Sequence, residues 1–201
     1  MIIKNWFTQI RTVVNPETDM EELKLIFASE DVNTLPVVDK EKNYYGLIHF
    51  SDIADAEETE NVLDYTTSKH LFIFDDYTME DVSLLLMDNH EIVIPVLNKE
   101  LKYLGTITIY EILESFATML SFDKRAISIS FKLRDKPGQL KAIVDIFAHE
   151  NLNIISIFTY PDDEGQRTVF LKLDSTDVKS VERILAVNEL EPDYLKLRKL
   201  V

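Results

Sequence analysis

Cysteine is absent from the 201 residues, which excludes disulfides, thiolate metal sites and cysteine nucleophiles together. Glycine occurs only four times and never in a cluster, so the chain holds no glycine-rich phosphate loop. There is no nucleophile elbow and no His-Glu-x-x-His, and the four histidines are scattered without a pairing interval. These gaps argue against an enzyme. No apolar run approaches the roughly 18 residues of a spanning helix, and Met1-Ile2-Ile3-Lys4-Asn5-Trp6 carries no signal-peptide pattern. A cytoplasmic protein is the expectation.

Basic side chains are also scarce, 21 against 36 acidic, for a net charge of −15. The imbalance is local: residues 1–125 carry 24 acidic and 10 basic residues, and residues 126–201 carry 12 and 11. So acidic a first part repels phosphate backbones and anionic lipid, so neither nucleic acid nor a membrane surface is an expected partner. The hydrophobic share of 46% is ordinary for a packed protein.

What is present is a duplication at an offset of 59. Leu35-Pro36-Val37-Val38-Asp39 returns as Ile94-Pro95-Val96-Leu97-Asn98, and Tyr45-Gly46-Leu47-Ile48 returns as Leu104-Gly105-Thr106-Ile107. The same shift takes Met20, Leu23, Ile26 and Phe27, a helical stripe, to Met79, Val82, Leu85 and Leu86. Each copy reads as a lead-in (12–16; 72–76), a helix, two strands and a second helix. The first strands span 34–39 and 44–50 around a charged turn. Thr18 and Thr78 are the expected N-caps, with Glu21 and Asp81 three residues on, as a capping box requires. The second helix begins near Ser51 in one copy and near Tyr110 in the other, where it runs to about Phe122. Units that cannot close a core alone pack against each other, and the clefts between such halves are favoured ligand sites.

The texture changes after Asp123-Lys124-Arg125. Ile127, Ile129, Phe131 and Leu133 alternate with polar residues, which is strand patterning. A turn at Asp135-Lys136-Pro137-Gly138, a helix to about Glu150, strands over 154–160 and 168–173 around a turn at 161–166, a helix near 178–186 and a strand near 194–197 follow. That β-α-β-β-α-β order is ferredoxin-like. The fold class is therefore α/β (α+β), with two pseudo-twofold repeats and a C-terminal ferredoxin-like domain.

At these residues the first part resembles a tandem pair of CBS (cystathionine β-synthase) domains. The resemblance rests on the Leu-Pro-Val-Val-Asp strand, the ten residues from Pro36 to Gly46 and from Pro95 to Gly105, and the Gly-φ-φ-Thr-x-x-Asp pattern. The last part resembles an ACT domain through Asp135-x-Pro137-Gly138-x-Leu140 and Asn153-Ile154-Ile155. The expected divisions are 1–60 and 61–122 for the CBS repeats, 123–125 for a linker and 126–201 for the ACT domain. The order CBS–CBS–ACT is similar to that of AcuB-type acetoin-utilisation proteins of bacteria.

The resemblance implies a regulatory protein that binds an adenosine-type nucleotide without catalysis and self-associates as a homodimer. No cofactor is required; AMP, ATP, adenosine and S-adenosylmethionine are the ligands implied. It places the nucleotide against Val13, Thr34, Leu35, Pro36, His49, Ser51, Asp52 and Phe72 and against Val93, Ile94, Pro95, Thr108, Tyr110 and Glu111. Asp52 and Glu111 hold the position that takes ribose hydroxyls, where a carboxylate offers two acceptors. Two departures stand out. Glu111 is longer than Asp by one methylene, and His49 stands where copy two has Thr108. No Arg or Lys occurs over 31–34 or 90–93, so adenosine, AMP or a cationic adenosyl compound suits the acidic surface better than ATP.

For the ACT domain the resemblance implies a small effector at Asp135, Pro137, Gly138, Gln139 and Leu140, with Asn153 and Ile154 opening the next strand. Plainer readings stand beside these. Asp52 near a helix start is also a cap, worth roughly 0.5–2 kcal/mol, and Asp135 with Pro137 also reads as a capped helix start. His49 and His90 read as partly solvated histidines, and the run Asp52, Asp55, Glu57, Glu58, Glu60 as a solvated helix face rather than a cation site. No metal site is expected. An interaction scaffold with decayed pockets, and more remotely an enzyme of acetoin or acyl metabolism, are the alternatives. Leu195-Lys196-Leu197-Arg198-Lys199 forms a small basic tip.

Overall fold

The computed structural model describes residues 2–8, 12–162 and 165–198, so Lys199 of the basic tip lies outside the described residues. The chain divides into two compact units, Met1–Glu114 and Ser115–Val201.

In the first unit the duplication is built as the sequence implies. Helix α1 (Met20–Glu30) precedes strands β1 (Thr34–Val38) and β2 (Tyr44–His49) and the short helix α2 (Phe50–Ile53). Strand β3 (Ile73–Phe74), helix α3 (Met79–Asn89), strands β4 (Val93–Leu97) and β5 (Tyr103–Thr108) and helix α4 (Ile109–Met119) form the second copy. Both hairpins are antiparallel, pairing Leu35 with Ile48 and Ile94 with Ile107, and both shift register at the same place, after Val37 and after Val96. The apolar stripe of α1 buries Met20, Leu23 and Phe27 against Leu35, Val37 and Ile48. Each such side chain contributes about 1.5–3 kcal/mol when taken fully out of water.

Two features join the copies. A cluster of Val38, Leu97 and Tyr103, with Val13, Tyr44 and Phe72 against it, consists of three pairs of residues related by the 59-residue shift. It therefore marks the pseudo-twofold axis. Beside it the Tyr103 amide donates to the Lys42 carbonyl at 2.8 Å, and the Lys102 ammonium donates to Asn43 Oδ1 at 2.6 Å. The lead-ins are also exchanged. Thr8 bridges Thr106 of the second copy, and Thr67, its equivalent, bridges Leu47 of the first. Each lead-in then returns to its own copy, Val14 beside Val37 and Ile73 beside Val96. Backbone groups of one copy are thus satisfied by the other, and neither copy is complete alone.

Local chemistry corrects several expectations. The N-cap of α1 is Asp19, not Thr18: its carboxylate accepts from the Glu22 amide at 2.7 Å, so Glu21 is not the third helical residue. Thr78 caps α3 in a full capping box with Asp81, as expected. Helix α2 is only four residues long, so the acidic run over 52–60 is mostly turn rather than helix face; Glu60 accepts from the Glu57 amide at 2.7 Å. Helix α4 ends at Met119, three residues before Phe122.

The second unit has the ferredoxin-like order. Strands β6 (Ile127–Arg134), β7 (Ile154–Pro161), β8 (Gln166–Leu173) and β9 (Tyr194–Leu197) form an antiparallel sheet in the order β7-β8-β6-β9. Helices α5 (Gln139–His149) and α6 (Val178–Val187) supply Ile143, Phe147, Val181 and Leu185 to a core with Ile127, Ile129, Phe131, Val169 and Leu171. Strand β9 forms despite Pro192, because the proline stops two residues short of the pairing that starts at Tyr194 opposite Ser130.

A hydroxyl-lined cleft and its bridged counterpart

One cleft of about 460 Å³ opens between the repeats of the first unit. It brings together Thr34, Leu35 and Pro36 from β1 with Val93 from β4, Thr108 at the end of β5 and Tyr110 in the first turn of α4. Six of the residues named from sequence therefore converge. Reasoning from sequence did not single out Thr8, Thr12, Asn33 and Thr106, which add hydroxyl and amide groups to the same wall, or Glu30 and Asp31, which bring carboxylates. Thr8 was detectable only as the residue 59 before Thr67, and nothing in a linear repeat says that the two exchange partners. None of the described lining side chains is basic. Such a wall offers donors and acceptors to a sugar and base but no cation for a polyphosphate.

Glu111 stands behind this cleft rather than free within it. The Thr108 amide donates to its Oε2 at 2.8 Å, the Thr108 hydroxyl also donates to Oε2, and the Thr8 hydroxyl donates to Oε1 at 3.0 Å. The side chain is only 8% exposed. Thr108 in turn accepts from the Tyr110 amide at 3.2 Å. The Thr108 hydroxyl thus caps the start of α4 through the Tyr110 amide, while the Glu111 carboxylate reaches back to the Thr108 amide as Asp81 does to the Thr78 amide at α3.

The 59-residue shift places the counterpart cleft at His49, Ser51 and Asp52 with Val93, Ile94 and Pro95. There the two copies touch. His49 Nδ1 lies 3.0 Å from the Thr34 hydroxyl, and its Nε2 lies 3.3 Å from Glu91 Oε1. Burial pushes the Glu91 carboxyl above its ordinary range; His49 opposes that push and the Asp52 charge adds to it. Asp52 itself is exposed and accepts from the Ser51 hydroxyl at 3.2 Å. Ile94 is fully buried as a core residue. Val13 and Phe72 pack on the axis cluster and do not line the open cleft.

In the second unit the turn after β6 shapes a recess of about 410 Å³ that holds Asp135, Pro137, Gly138, Gln139 and Leu140. Gly138 has a φ of +89° and is the N-cap of α5, without a side-chain cap. Asp135 is therefore not a cap. It takes a two-pronged contact from Arg167, Nε to Oδ1 at 3.0 Å and Nη2 to Oδ2 at 2.9 Å, and that contact holds its carboxyl below the ordinary range. Asn153 and Ile154 are not beside this turn. Ile154 pairs with Leu173 at one end of the sheet, whereas Arg134 pairs with Gln166 at the other. Over seven residues of strand that is about 23 Å.

The CBS domain model matches residues 9–58 and 62–118, more than half of the chain. The protein belongs to the CBS domain family. The ACT domain model matches residues 127–189 of this CBS protein. Among solved structures it is similar to a CBS domain pair/ACT domain protein from Thermotoga maritima, at 22% identity over 60% of this chain and 99% of that chain, with a TM-score of 0.55. It is also similar to CBSX2, a CBS-pair protein of Arabidopsis thaliana, solved in complex with AMP, at 19% identity over 59% of this chain and 97% of that one, TM-score 0.53. A CBS domain pair solved with 5′-methylthioadenosine and S-adenosyl-L-methionine matches at 19% identity over 59% of this chain and 97% of that one, TM-score 0.50. These likenesses establish the fold. Among the described residues no helix is long and apolar enough to cross a membrane.

Proposed function

We propose that this CBS protein is a non-enzymatic regulator that takes an adenosine-type ligand in the open cleft of its CBS pair. The observation that carries the reading is the wall itself. Thr34, Thr108 and Tyr110 converge on a space of about 460 Å³ with Leu35, Pro36 and Val93 as its apolar side, within the range of small-molecule sites. The AMP and S-adenosylmethionine complexes of similar CBS pairs support the ligand class. Glu30 and Asp31, with no described basic neighbour in the lining, favour adenosine, AMP or a cationic adenosyl compound over ATP. Binding acts by population shift: a ligand that prefers one spacing of the repeats redistributes their packing about the axis cluster.

The order of domains supports placing the protein with AcuB-type regulators of acetoin utilisation, acting in the bacterial cytoplasm as a homodimer. The recess at Asp135–Leu140 is the place for a second, amino-acid-like effector; Asn153 and Ile154 reach such a ligand only from another copy. Calorimetric titration with adenosine, AMP, ATP and S-adenosylmethionine tests the reading. The expected result is binding that ATP shows least, and that Thr108→Val weakens. No heat and no thermal shift with any of the four defeats it.

A second reading has its own observation. His49 and Glu91 bridge the counterpart cleft and Glu111 is consumed as a cap, as a scaffold with retired pockets would show. The same titration decides, because a scaffold stays silent.

A further inference from the structure

We infer that the open face of the four-stranded sheet is a binding site for a planar aromatic ring carrying an anionic group. The helices cover only one face, and the register sorts the other into rows. One row, read across β9-β6-β8-β7, is Lys196, Ser128, Lys172 and Ser156. The next row, two residues along each strand, is Tyr194, Ser130, Phe170 and Phe158. A cationic row thus lies beside an aromatic one at a spacing of about 7 Å. The face encloses a cavity of about 770 Å³ whose lining includes both rows, with Phe122 and Arg198 at one side.

Three features point to a ligand rather than to a bare surface. Phe158 and Phe170 are stacked at 4.8 Å with planes 6° apart, and Tyr160 lies against Phe170 at 5.9 Å, so an aromatic stack that a further ring can extend is already built. Ser130 and Ser156 are 3% and 8% exposed and line the cavity, yet neither hydroxyl has a hydrogen-bond partner among the described residues. Buried hydroxyls are ordinarily satisfied, so each calls for an incoming polar atom. Lys172 is 7% exposed, donates to the Ser121 carbonyl at 2.5 Å and sits 5.1 Å from the centre of Phe122, with no carboxylate in ion-pair reach among the described residues. Asp123 lends it only a charge beyond ion-pair distance and Arg198 opposes that charge, so an anion bound beside this largely buried ammonium would stabilise it. Arg198, 5.6 Å from the same ring, and Lys196 add to the positive field.

The ligand would extend the stack by laying its ring against Phe158 and direct its anion to Lys172 and Lys196, accepting from Ser130 or Ser156. This face is distinct from the recess at the Asp135–Leu140 turn and from the cleft of the CBS pair, and the inference does not depend on either. The anion is a carboxylate or a phosphate, and the probes separate the two.

The test is calorimetric titration of the full chain with indole-3-acetate, AMP, indole and acetate, using wild type, Phe158→Ser and Lys196→Ala. Circular dichroism and a melting curve confirm that both variants fold. Indole-3-acetate, or a second class of AMP sites, should bind wild type and weaken about tenfold in each variant, the size of one lost stack or charge contact. Indole and acetate, each holding half of the ligand, should bind far more weakly. Retention of the cleft's AMP binding in Phe158→Ser is expected. The inference is overturned if neither anion binds in a Phe158-dependent way, or if indole binds as well as indole-3-acetate. It is also overturned if sedimentation shows Phe158→Ser converting a dimer to a monomer, since the face is then covered by a second copy.

Discussion

His49 and Glu91 belong to different repeats, yet Nε2 and Oε1 approach to 3.3 Å across the place where the pseudo-twofold puts a second cleft. The contact has no counterpart on the open side, where the 59-residue shift gives Thr108 and Val32. A hydroxyl and an isopropyl group cannot make such a contact; an imidazole and a carboxylate can. The two clefts of one duplicated unit have thereby become unlike, and the difference lies in two side chains.

The ionisation of Glu91 should be visible in stability. Its folded-state pKa is raised above 4.5 chiefly by burial, so the native state holds its proton more tightly than the unfolded chain does. The stability this contributes is present below the unfolded value and is lost as pH rises through the raised one. Glu91→Gln, which cannot ionise, should therefore melt above wild type near pH 7. The advantage should close as pH falls toward 4. Melting curves of the two proteins from pH 4 to 8 measure it, and a gap that widens on acidification would contradict the burial argument.

Gly46 should tolerate no side chain. Its φ is +147°, and a Cβ there would stand 2.3 Å from the Thr67 carbonyl and 2.6 Å from Thr66 Cγ2. The obstacle is backbone of the exchanged lead-in, whose Thr67 amide and carbonyl are both bonded to Leu47, so it cannot swing aside cheaply. Gly46→Ala should destabilise the first unit by about 1–3 kcal/mol, the usual cost of forcing extra volume into a packed site. Urea denaturation followed by Trp6 fluorescence reports that unit.

The exchanged lead-ins can be weighed against each other. The Thr8 hydroxyl makes a 3.0 Å bond to the Glu111 carboxylate, whereas the Thr67 hydroxyl reaches the Leu47 carbonyl only at 3.4 Å. A hydrogen bond to a charged acceptor is worth about 1.5–3 kcal/mol and an ordinary one about 0.5–1.5 kcal/mol. Thr8→Val should therefore cost more than Thr67→Val in the same denaturation experiment. Equal losses would mean that Glu111 is held well enough by Thr108 alone.

Much of this was legible in the chain because periodicity and offset are local quantities. The alternation through Ile127, Ile129 and Phe131 became the buried face of β6, and the shift of 59 became the axis cluster. Cap identity was less legible: Asp19 and Thr18 are both good cap residues, and one position decides which amide the carboxylate meets. The sequence also could not show that Thr8 crosses to Thr106, since a duplicated pattern looks the same whether lead-ins stay or exchange. Asp135 was readable as a cap or as a ligand group; it is not the cap, and its contact with Arg167, 32 residues away, had no local signal. Glu91 had no local signal, because its importance comes from His49 on the other repeat.

The pairing of Asp135 with Arg167 gives the second unit an acid-sensitive contact of the opposite sign to Glu91. The Arg167 hydrogen bonds lower the Asp135 pKa from its usual 3.8, so the unfolded chain binds that proton more readily. The stability contributed is present above 3.8 and is lost as pH falls through the depressed folded value. Asp135→Asn removes the charge at every pH. Its melting temperature should lie slightly below wild type at pH 6, with the gap closing below pH 3.8. The pair is exposed, so added salt should shrink the gap at pH 6 as well. A gap indifferent to both pH and salt would mean that the Asp135 side chain acts through its hydrogen-bond geometry and not through its charge.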